Sequence, residues 1–143
     1  MDPIRERIQA SFDRQSFMQH IGATLARVER GFVELSVRRD DRHLQQHGFL
    51  HAGVITSALD SACGYAALTV MDDDAAVLSV EFKVNLLAPA AGELFVARGT
   101  VLKAGRTVVV CRGDAFVVDG GSERLIAAMQ ATLMTVRGRD LKD

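Results

Sequence analysis

The chain has 143 residues, which is the size of one domain and leaves no room for a second, cofactor-binding module. Its 17 Lys and Arg residues against 18 Asp and Glu residues give a net charge of -1, so it lacks the basic surface of a nucleic-acid-binding protein. Hydrophobic residues make up 48% and charged residues 24%, which indicates a compact soluble fold rather than a disordered chain. We therefore expect a single domain over residues 1–143.

The two cysteines, Cys63 and Cys111, are too few for a disulfide scaffold, and neither lies in a CxxC pattern. A reducing, cytoplasmic compartment fits this usage best, and both residues read as small core side chains. The N-terminal stretch MDPIRERIQASFDR places charges where a signal peptide needs apolar residues, so export is not indicated.

The first part of the chain predicts a helix, a hairpin and a loop. Residues 4–20 carry four large apolar residues at helical spacing, which indicates a short amphipathic helix. Two short apolar runs within residues 23–37 flank Arg30-Gly31 and predict a β-hairpin. Residues 40–51 are polar and aperiodic, so we expect a loop that leads into the next element.

Residues 52–71 are the most informative segment, because every one of them is apolar, small or neutral except Asp60. The run predicts one long helix with an apolar side and an opposite, uncovered side of small residues that carries the acid. The members of that second side are Gly53, Ser57, Asp60, Gly64 and Ala67. A central carboxylate and the lack of Lys or Arg at the ends favour a helix buried in a soluble protein over a membrane span.

The rest of the chain predicts long strands. In residues 77–88, large apolar residues at even positions alternate with Ser79, Glu81, Lys83 and Asn85, which puts Ser79 on the polar face of its strand. Three further runs follow, separated by turns near residues 104–106 and 119–121, and indicate an antiparallel meander.

These elements together predict an α+β protein in which a curved antiparallel sheet wraps around one long central helix, with a short N-terminal helix. Such a sheet leaves its edges unprotected. We therefore expect self-association into a homodimer, or a multiple of one such as a homotetramer.

Asp60 is the main candidate for chemistry. A carboxylate among small and apolar residues loses solvation, so it either rises in pKa or finds specific partners, and no Lys or Arg lies three or four positions away. In a structural interpretation, the acid satisfies a backbone group across an interface or faces a watery groove. In a functional interpretation, it is a general base or nucleophile in a groove shielded from bulk water.

The start of the same helix is a second candidate. Backbone N–H groups of Ala52 and Gly53 are unpaired in the first turn of a helix, where the dipole also favours negative charge, so they can hold a developing oxyanion. His43, His47 and His51 recur every four residues, as zinc ligands on a helix would. Gly48 and the polar loop composition make a continuous helix doubtful there, and we expect no metal site.

The stretches HLQQHGFLHAGVITSALDSACGYAA, LSVEFKVNLLAPA and AGRTVVV resemble the hotdog-fold acyl-CoA thioesterases of the phenylacetate-degradation (PaaI-like) group. The resemblance covers about residues 23–136. It implies a hotdog fold and hydrolysis of a small or medium acyl or aryl thioester to the free acid and coenzyme A. It implies no cofactor other than the coenzyme A of the substrate.

The resemblance also implies roles for individual residues. Asp60 activates water or attacks the thioester directly, while the amide of Ala52, with Gly53 behind it, holds the carbonyl oxygen. Gln45 orients water or polarises the carbonyl. Because these groups come from both subunits in the family, Gln45 and the Ala52 amide face Asp60 and Ser79 of the partner.

Four further positions match the family less directly. His51 is the residue at the helix entrance, and Ser79 matches a Ser or Thr that steadies the acid. Lys103 and Arg106 match positions near the coenzyme A phosphates, although a solvated basic turn is the simpler account of them.

Two departures and two alternatives stay open at this stage. Ala52 stands where the family pattern has glycine, which an amide donor tolerates if the backbone keeps a negative φ. Gln45 is one methylene longer than the commoner Asn. A hydratase or dehydratase of acyl thioesters needs a His and an acid acting together, and His51 keeps that alternative open. A non-catalytic acyl-CoA-binding protein would keep the pocket without needing Asp60.

Overall fold

The computed structural model describes residues 2–143. Its helices are α1 (Pro3–Phe12), α2 (Ser16–His20) and α3 (Ala52–Leu68), with a 3-10 helix at Asp41–His43. Its strands are β1 (Ala23–Glu29), β2 (Phe32–Arg38), β3 (Ala76–Leu86), β4 (Leu94–Ala104), β5 (Val108–Asp119) and β6 (Ser122–Val136).

All six strands form one antiparallel sheet in the order β1-β2-β4-β5-β6-β3. The sheet curves around α3, which contacts every strand. This confirms the predicted α+β architecture and the hairpin of β1 and β2. The meander prediction is correct for β4, β5 and β6, but β3 pairs with β6 instead of β4 and forms one edge of the sheet.

Two facing glycines set the distance between α3 and the sheet. Gly99 on β4 and Gly113 on β5 are paired in register on the inner face. A Cβ on Gly99 would lie 2.4 Å from the carbonyl carbon and oxygen of Ala62, and a Cβ on Gly113 would lie 3.1 Å from Sγ of Cys63. The helix backbone therefore packs directly on the strands, which fixes the position of α3 and of every side chain on it.

The predicted single helix over residues 4–20 is two helices. The first ends at Phe12 with Asp13 as its C-cap, and Gln15 adopts an extended backbone before α2 begins. The apolar spacing holds for α1, where Ile8 and Phe12 are buried, but Phe17 on α2 is 53% exposed. Hydrogen bonds of the Gln15 side chain to α3 accompany the break in the helix.

The alternation predicted for β3 is interrupted by a β-bulge at Val80. Ser79 pairs with Leu133, but Glu81 pairs with Thr132, so one residue of β3 has no partner on β6. In a regular strand, the side chains of residues 79 and 81 would point to the same face. The extra residue of the bulge places them on opposite faces instead. Ser79 therefore lies on the inner face, facing α3, and the prediction that it shares a face with Glu81 and Lys83 is wrong.

The long helix ends three residues before the predicted position. The guanidinium of Arg7 on α1 donates to the carbonyl oxygens of Leu68, Met71, Asp72 and Ala75, at 2.7 to 3.3 Å, which satisfies the backbone groups where α3 ends. Ala67, predicted on the uncovered side, is fully buried. No helix within residues 2–143 is long and apolar enough to cross a membrane.

Candidate active site

Asp60 lies half-buried on α3, at one end of a cleft of about 230 Å³ between this helix and β3. Its Oδ1 accepts a hydrogen bond of 2.6 Å from Oγ of Ser79. Within residues 2–143, Oδ2 accepts no hydrogen bond from protein. The carboxylate is thus held in one orientation with an oxygen left for chemistry, and it is neither sealed in the core nor fully exposed.

The start of α3 is capped by its own histidine. Nδ1 of His51 accepts the N–H of Gly53 at 2.8 Å, so the Gly53 amide is already used. A Cβ on Gly53 would lie 3.0 Å from the same Nδ1, so a side chain at this position would crowd the cap. The N–H of Ala52 has no acceptor in the described part of the chain, and all positive φ angles there belong to glycines. Ala52 therefore keeps the negative φ that an amide donor requires.

Gln45 is positioned by its own loop. Its Oε1 accepts the backbone N–H groups of His47 at 2.5 Å and Phe49 at 3.3 Å. The carbonyl end of the amide is therefore occupied, whereas the NH₂ end donates to no group in residues 2–143. Gln45, His51 and Ala52 line one cavity of about 440 Å³, whose other wall includes residues 86–90.

The structure brings the predicted site residues together as two groups. Gln45, His51 and Ala52 share the cavity at the start of α3, and Asp60 and Ser79 share the cleft near its middle. Ala52 and Asp60 are eight residues apart on the helix, which is about 12 Å along its axis. A single chain therefore cannot place the Ala52 amide and the Asp60 carboxylate on the same carbonyl group.

Lys103 and Arg106 lie at the hairpin between β4 and β5, and both are exposed. The carbonyl oxygen of Arg106 accepts a hydrogen bond of 3.0 Å from Arg137. Neither Lys103 nor Arg106 lines either of the two cavities.

The three regularly spaced histidines do not share a helix, because His43 is in the 3-10 helix, His47 is in a turn and His51 caps α3. Among residues 2–143, no group of three or more His, Cys, Asp or Glu side chains could hold a metal ion.

Cys63 and Cys111 are free and buried, as predicted, and burial raises the pKa of both thiols, that of Cys111 to about 12. Both therefore stay protonated and unreactive near neutral pH.

Three residues of the cleft were not identified from the sequence, namely Gln15, Ser61 and Tyr65. They line the cleft beyond Asp60 and are hydrogen-bonded to one another. Tyr65 could have been recognised from the sequence, because it is the only tyrosine of the chain and the only large polar side chain in a segment of mostly small and apolar residues. Gln15 carries no sequence pattern that would mark it.

Comparison with known proteins places this arrangement in a family. Residues 47–123 match the family model described as the Thioesterase superfamily. A solved thioesterase family protein from Silicibacter pomeroyi is 49% identical, with a TM-score of 0.92 over 94% of this chain and 99% of that chain. The medium/long-chain acyl-CoA thioesterase YigI of Escherichia coli is 29% identical, over 82% of this chain and 84% of that protein.

The PaaI protein of Escherichia coli, from the phenylacetic acid degradation operon, shares the fold at 18% identity, with a TM-score of 0.84 over 94% of both chains. The fold and these relatives define a thioester hydrolase with a hotdog fold, as the sequence resemblance implied. The chain belongs to the Thioesterase superfamily.

Proposed function

We propose that this thioester hydrolase acts on acyl-CoA esters of small or medium acyl groups, aryl groups included, and releases the free acid and coenzyme A. Asp60 is the catalytic base or nucleophile. The observation that carries this proposal is the half-buried Asp60 carboxylate, fixed through Oδ1 by Ser79 and free at Oδ2, in a cleft between α3 and β3.

The free oxygen of Asp60 supports two routes to the same products. In one, Oδ2 takes a proton from water as the water oxygen attacks the thioester carbonyl carbon, and the C–S bond then breaks with release of the thiol. In the other, Oδ2 attacks the carbonyl carbon itself, the thiolate leaves, and water hydrolyses the resulting anhydride. Both routes consume only water, and both need the carboxylate orientation that Ser79 supports.

The N–H of Ala52 is the donor for the carbonyl oxygen, since His51 occupies the amide of Gly53. Negative charge develops on that oxygen during attack, and a free N–H at the start of α3 is aided there by the helix dipole. The NH₂ end of Gln45, in the same cavity, donates to the carbonyl oxygen or to the attacking water.

A second copy of the chain brings the two groups together. The 12 Å or so between Ala52 and Asp60 on one helix is several times the hydrogen-bond distance at which each must act. The edge strand β3 offers unpaired backbone groups and exposed apolar side chains, including Leu78, Val80 and Phe82, for pairing with the same strand of another copy. A homodimer, alone or within a homotetramer, has two sites that each combine residues of both copies.

Coenzyme A leaves the cleft towards solvent, where its phosphates need cations. Lys103 and Arg106, at the exposed β4–β5 hairpin, are the proposed partners. Their replacement by Ala raises KM for acyl-CoA and leaves kcat nearly unchanged, which steady-state kinetics with the two single variants would test.

The decisive experiment measures thiol release from saturated acyl-CoA esters by the wild type, Asp60→Asn and Asp73→Asn. General bases contribute about 10²- to 10⁴-fold, so Asp60→Asn lowers kcat by at least about 100-fold while KM changes little. Asp73 is an exposed carboxylate on the loop after α3, and its Asn variant is the control. A fully active Asp60→Asn enzyme would contradict the proposal. Loss of the double bond of an enoyl-CoA without thiol release would instead identify a hydratase.

Complementation tests the composite site. Asp60→Asn and Gln45→Ala are each expected to be impaired, and refolding a mixture of the two restores activity, because one site of each mixed dimer has both residues intact. With random assortment, the mixture reaches about a quarter of wild-type activity. Activity no higher than that of the separate variants would place both groups in one chain.

A further inference from the structure

Besides the hydrogen bond between Ser79 and Asp60, a second set of hydrogen bonds connects α3 to β3 across the cleft. The hydroxyl of Tyr65 shares a hydrogen bond of 3.2 Å with Ser11 of α1, and Ser11 donates to Oδ1 of Asp143 at 3.4 Å. Oδ2 of Asp143 accepts the backbone N–H of Val77 at 2.6 Å. This chain of contacts spans the cleft from the helix to the strand.

The two connections are close together. Tyr65 lies five residues beyond Asp60 on α3, which is about 7.5 Å along the helix. Val77 lies two residues before Ser79 on β3, which is about 6.6 Å along the strand. The space between the connections is therefore short, and Asp60 stands at one end of it.

Gln15 closes the helix side of this space. Its Oε1 accepts the hydroxyl of Ser61 at 3.1 Å, and its Nε2 donates to the hydroxyl of Tyr65 at 2.9 Å. The amide therefore lies across the cleft-facing side of α3 between these two residues, at the point where α1 gives way to α2. We call Gln15 and Tyr65 the far wall of the cleft.

Gly64 forms the surface of α3 that faces this space, and no side chain fills the space above it. A Cβ built on Gly64 meets no atom within 4 Å, although Gly64 lies in the middle of α3 between Ser61 and Tyr65. A side chain at this position would occupy the cleft itself.

We propose that the far wall and Gly64 set the length of the acyl group, so that the enzyme prefers short acyl chains and rejects those that reach beyond Gln15. This inference rests on the proposed hydrolysis of acyl-CoA at Asp60. It adds to that function a substrate class and the residues that select it.

The direction of the substrate follows from the space available. When the thioester carbonyl lies beside Asp60, the acyl chain and the coenzyme A leave it on two sides. The space towards the far wall is part of a cleft of only about 230 Å³, bounded by Gln15, by Asp143 and by residues of α3 and β3. Coenzyme A is far too large for it, so the acyl chain takes this side.

The far wall rejects longer acyl chains because its polar groups are hydrogen-bonded to one another, and a longer chain would have to break these bonds. A chain that displaced Gln15 would leave the hydroxyl groups of Ser61 and Tyr65 without this partner in a partly buried setting. Within the allowed length, each further buried methylene raises kcat/KM about fourfold, and the first excess methylene lowers it about tenfold or more.

Two substitutions shift the preference in opposite directions. Gln15→Ala removes the side chain that limits the cleft and so makes room for a longer acyl chain. We compare kcat/KM for the shortest acyl chain that the wild type rejects with kcat/KM for the chain that it prefers, and this ratio rises about tenfold in the variant. Gly64→Val fills the space above this residue and lowers the same ratio, with the optimum moving to shorter chains. Gln130→Ala, on the outer face of β6, and Gly121→Ala, in an open turn, are matched controls that leave the length profile unchanged.

The profile is measured twice, by thiol release from straight-chain acyl-CoA esters and by calorimetric binding of the corresponding non-hydrolysable S-alkyl-CoA thioethers. Opposite shifts in both measurements support the length selection. If the variants shift the length preference in binding but the wild type hydrolyses no ester, the length selection is supported and the proposed function is overturned. Hydrolysis with length profiles that are identical in the wild type, Gln15→Ala and Gly64→Val overturns the length selection alone.

Discussion

The two sides of α3 use glycine for opposite reasons. Towards the sheet, Gly99 is required because a Cβ would lie 2.4 Å from the backbone of Ala62. Towards the cleft, Gly64 is surrounded by open space, and a Cβ there would touch nothing within 4 Å. The first glycine brings two backbones together, whereas the second keeps a space open.

This contrast explains how a small domain holds the Asp60 carboxylate in a fixed place. Close packing on β4 and β5 leaves α3 no freedom to shift, so Asp60 on its other side is positioned by a rigid element. The cleft side can then include small residues such as Gly64 and a few polar contacts, which leaves space beside Asp60.

Gly99→Ala breaks the packed side and has the largest expected effect. The added methyl group meets helix backbone, which cannot rotate away as a side chain can, so α3 must move from the sheet at a cost of about 3 kcal/mol. Urea unfolding measures the loss, with Gly121→Ala as the control in open space. Stability equal to the wild type would show that α3 can shift, and kcat would then report whether Asp60 shifts with it.

Ser79→Ala tests the cleft side at the carboxylate. It removes the 2.6 Å hydrogen bond to Asp60, and bonds to charged groups contribute about 1.5 to 3 kcal/mol, so kcat falls at least about tenfold. Ser57→Ala is the control, since its hydroxyl only donates to the carbonyl of Gly53 on the same helix. Equal kcat values for Ser79→Ala and the wild type would mean that Asp60 is oriented without this serine.

His51→Ala tests the start of α3, where the side chain is a structural cap. Loss of an N-cap costs about 1 kcal/mol, and urea unfolding against the exposed His47→Ala control measures it. The same variant frees the Gly53 amide. An unchanged unfolding midpoint would contradict the capping role.

The sequence was sufficient for the overall arrangement and for placing Asp60 as the one acid on the long helix. A helix of small and apolar residues with one acid is a strong pattern, and the sheet followed from long alternating runs separated by short turns. The resemblance at residues 45–60 predicted Gln45, Ala52 and Asp60 as site residues, and the structure places them in two cavities along α3. Ser79 does hydrogen-bond to Asp60, but the sequence placed it on the wrong face of β3, because the alternation of residues 77–88 runs unbroken through the bulge at Val80.

The remaining features depend on contacts between distant segments. Gln15 meets Ser61 and Tyr65 only because the chain breaks between α1 and α2, and a sequence window shows neither the break nor the contact. The use of the Gly53 amide by His51 likewise depends on one side-chain rotamer. Periodicity describes which residues share a face, but it does not say which polar groups on that face are already paired.

Gly64→Ala gives the smallest effect and the sharpest test of the contrast, because its sign is opposite to that of Gly99→Ala. Alanine restricts the unfolded chain and favours a helix, so where the added methyl group meets nothing the variant is more stable by about 0.5 to 1 kcal/mol. Urea unfolding of the two alanine variants under the same conditions checks this. Destabilisation by Gly64→Ala would mean that the space is filled in the assembled protein, and the acyl chain would then need another path from Asp60.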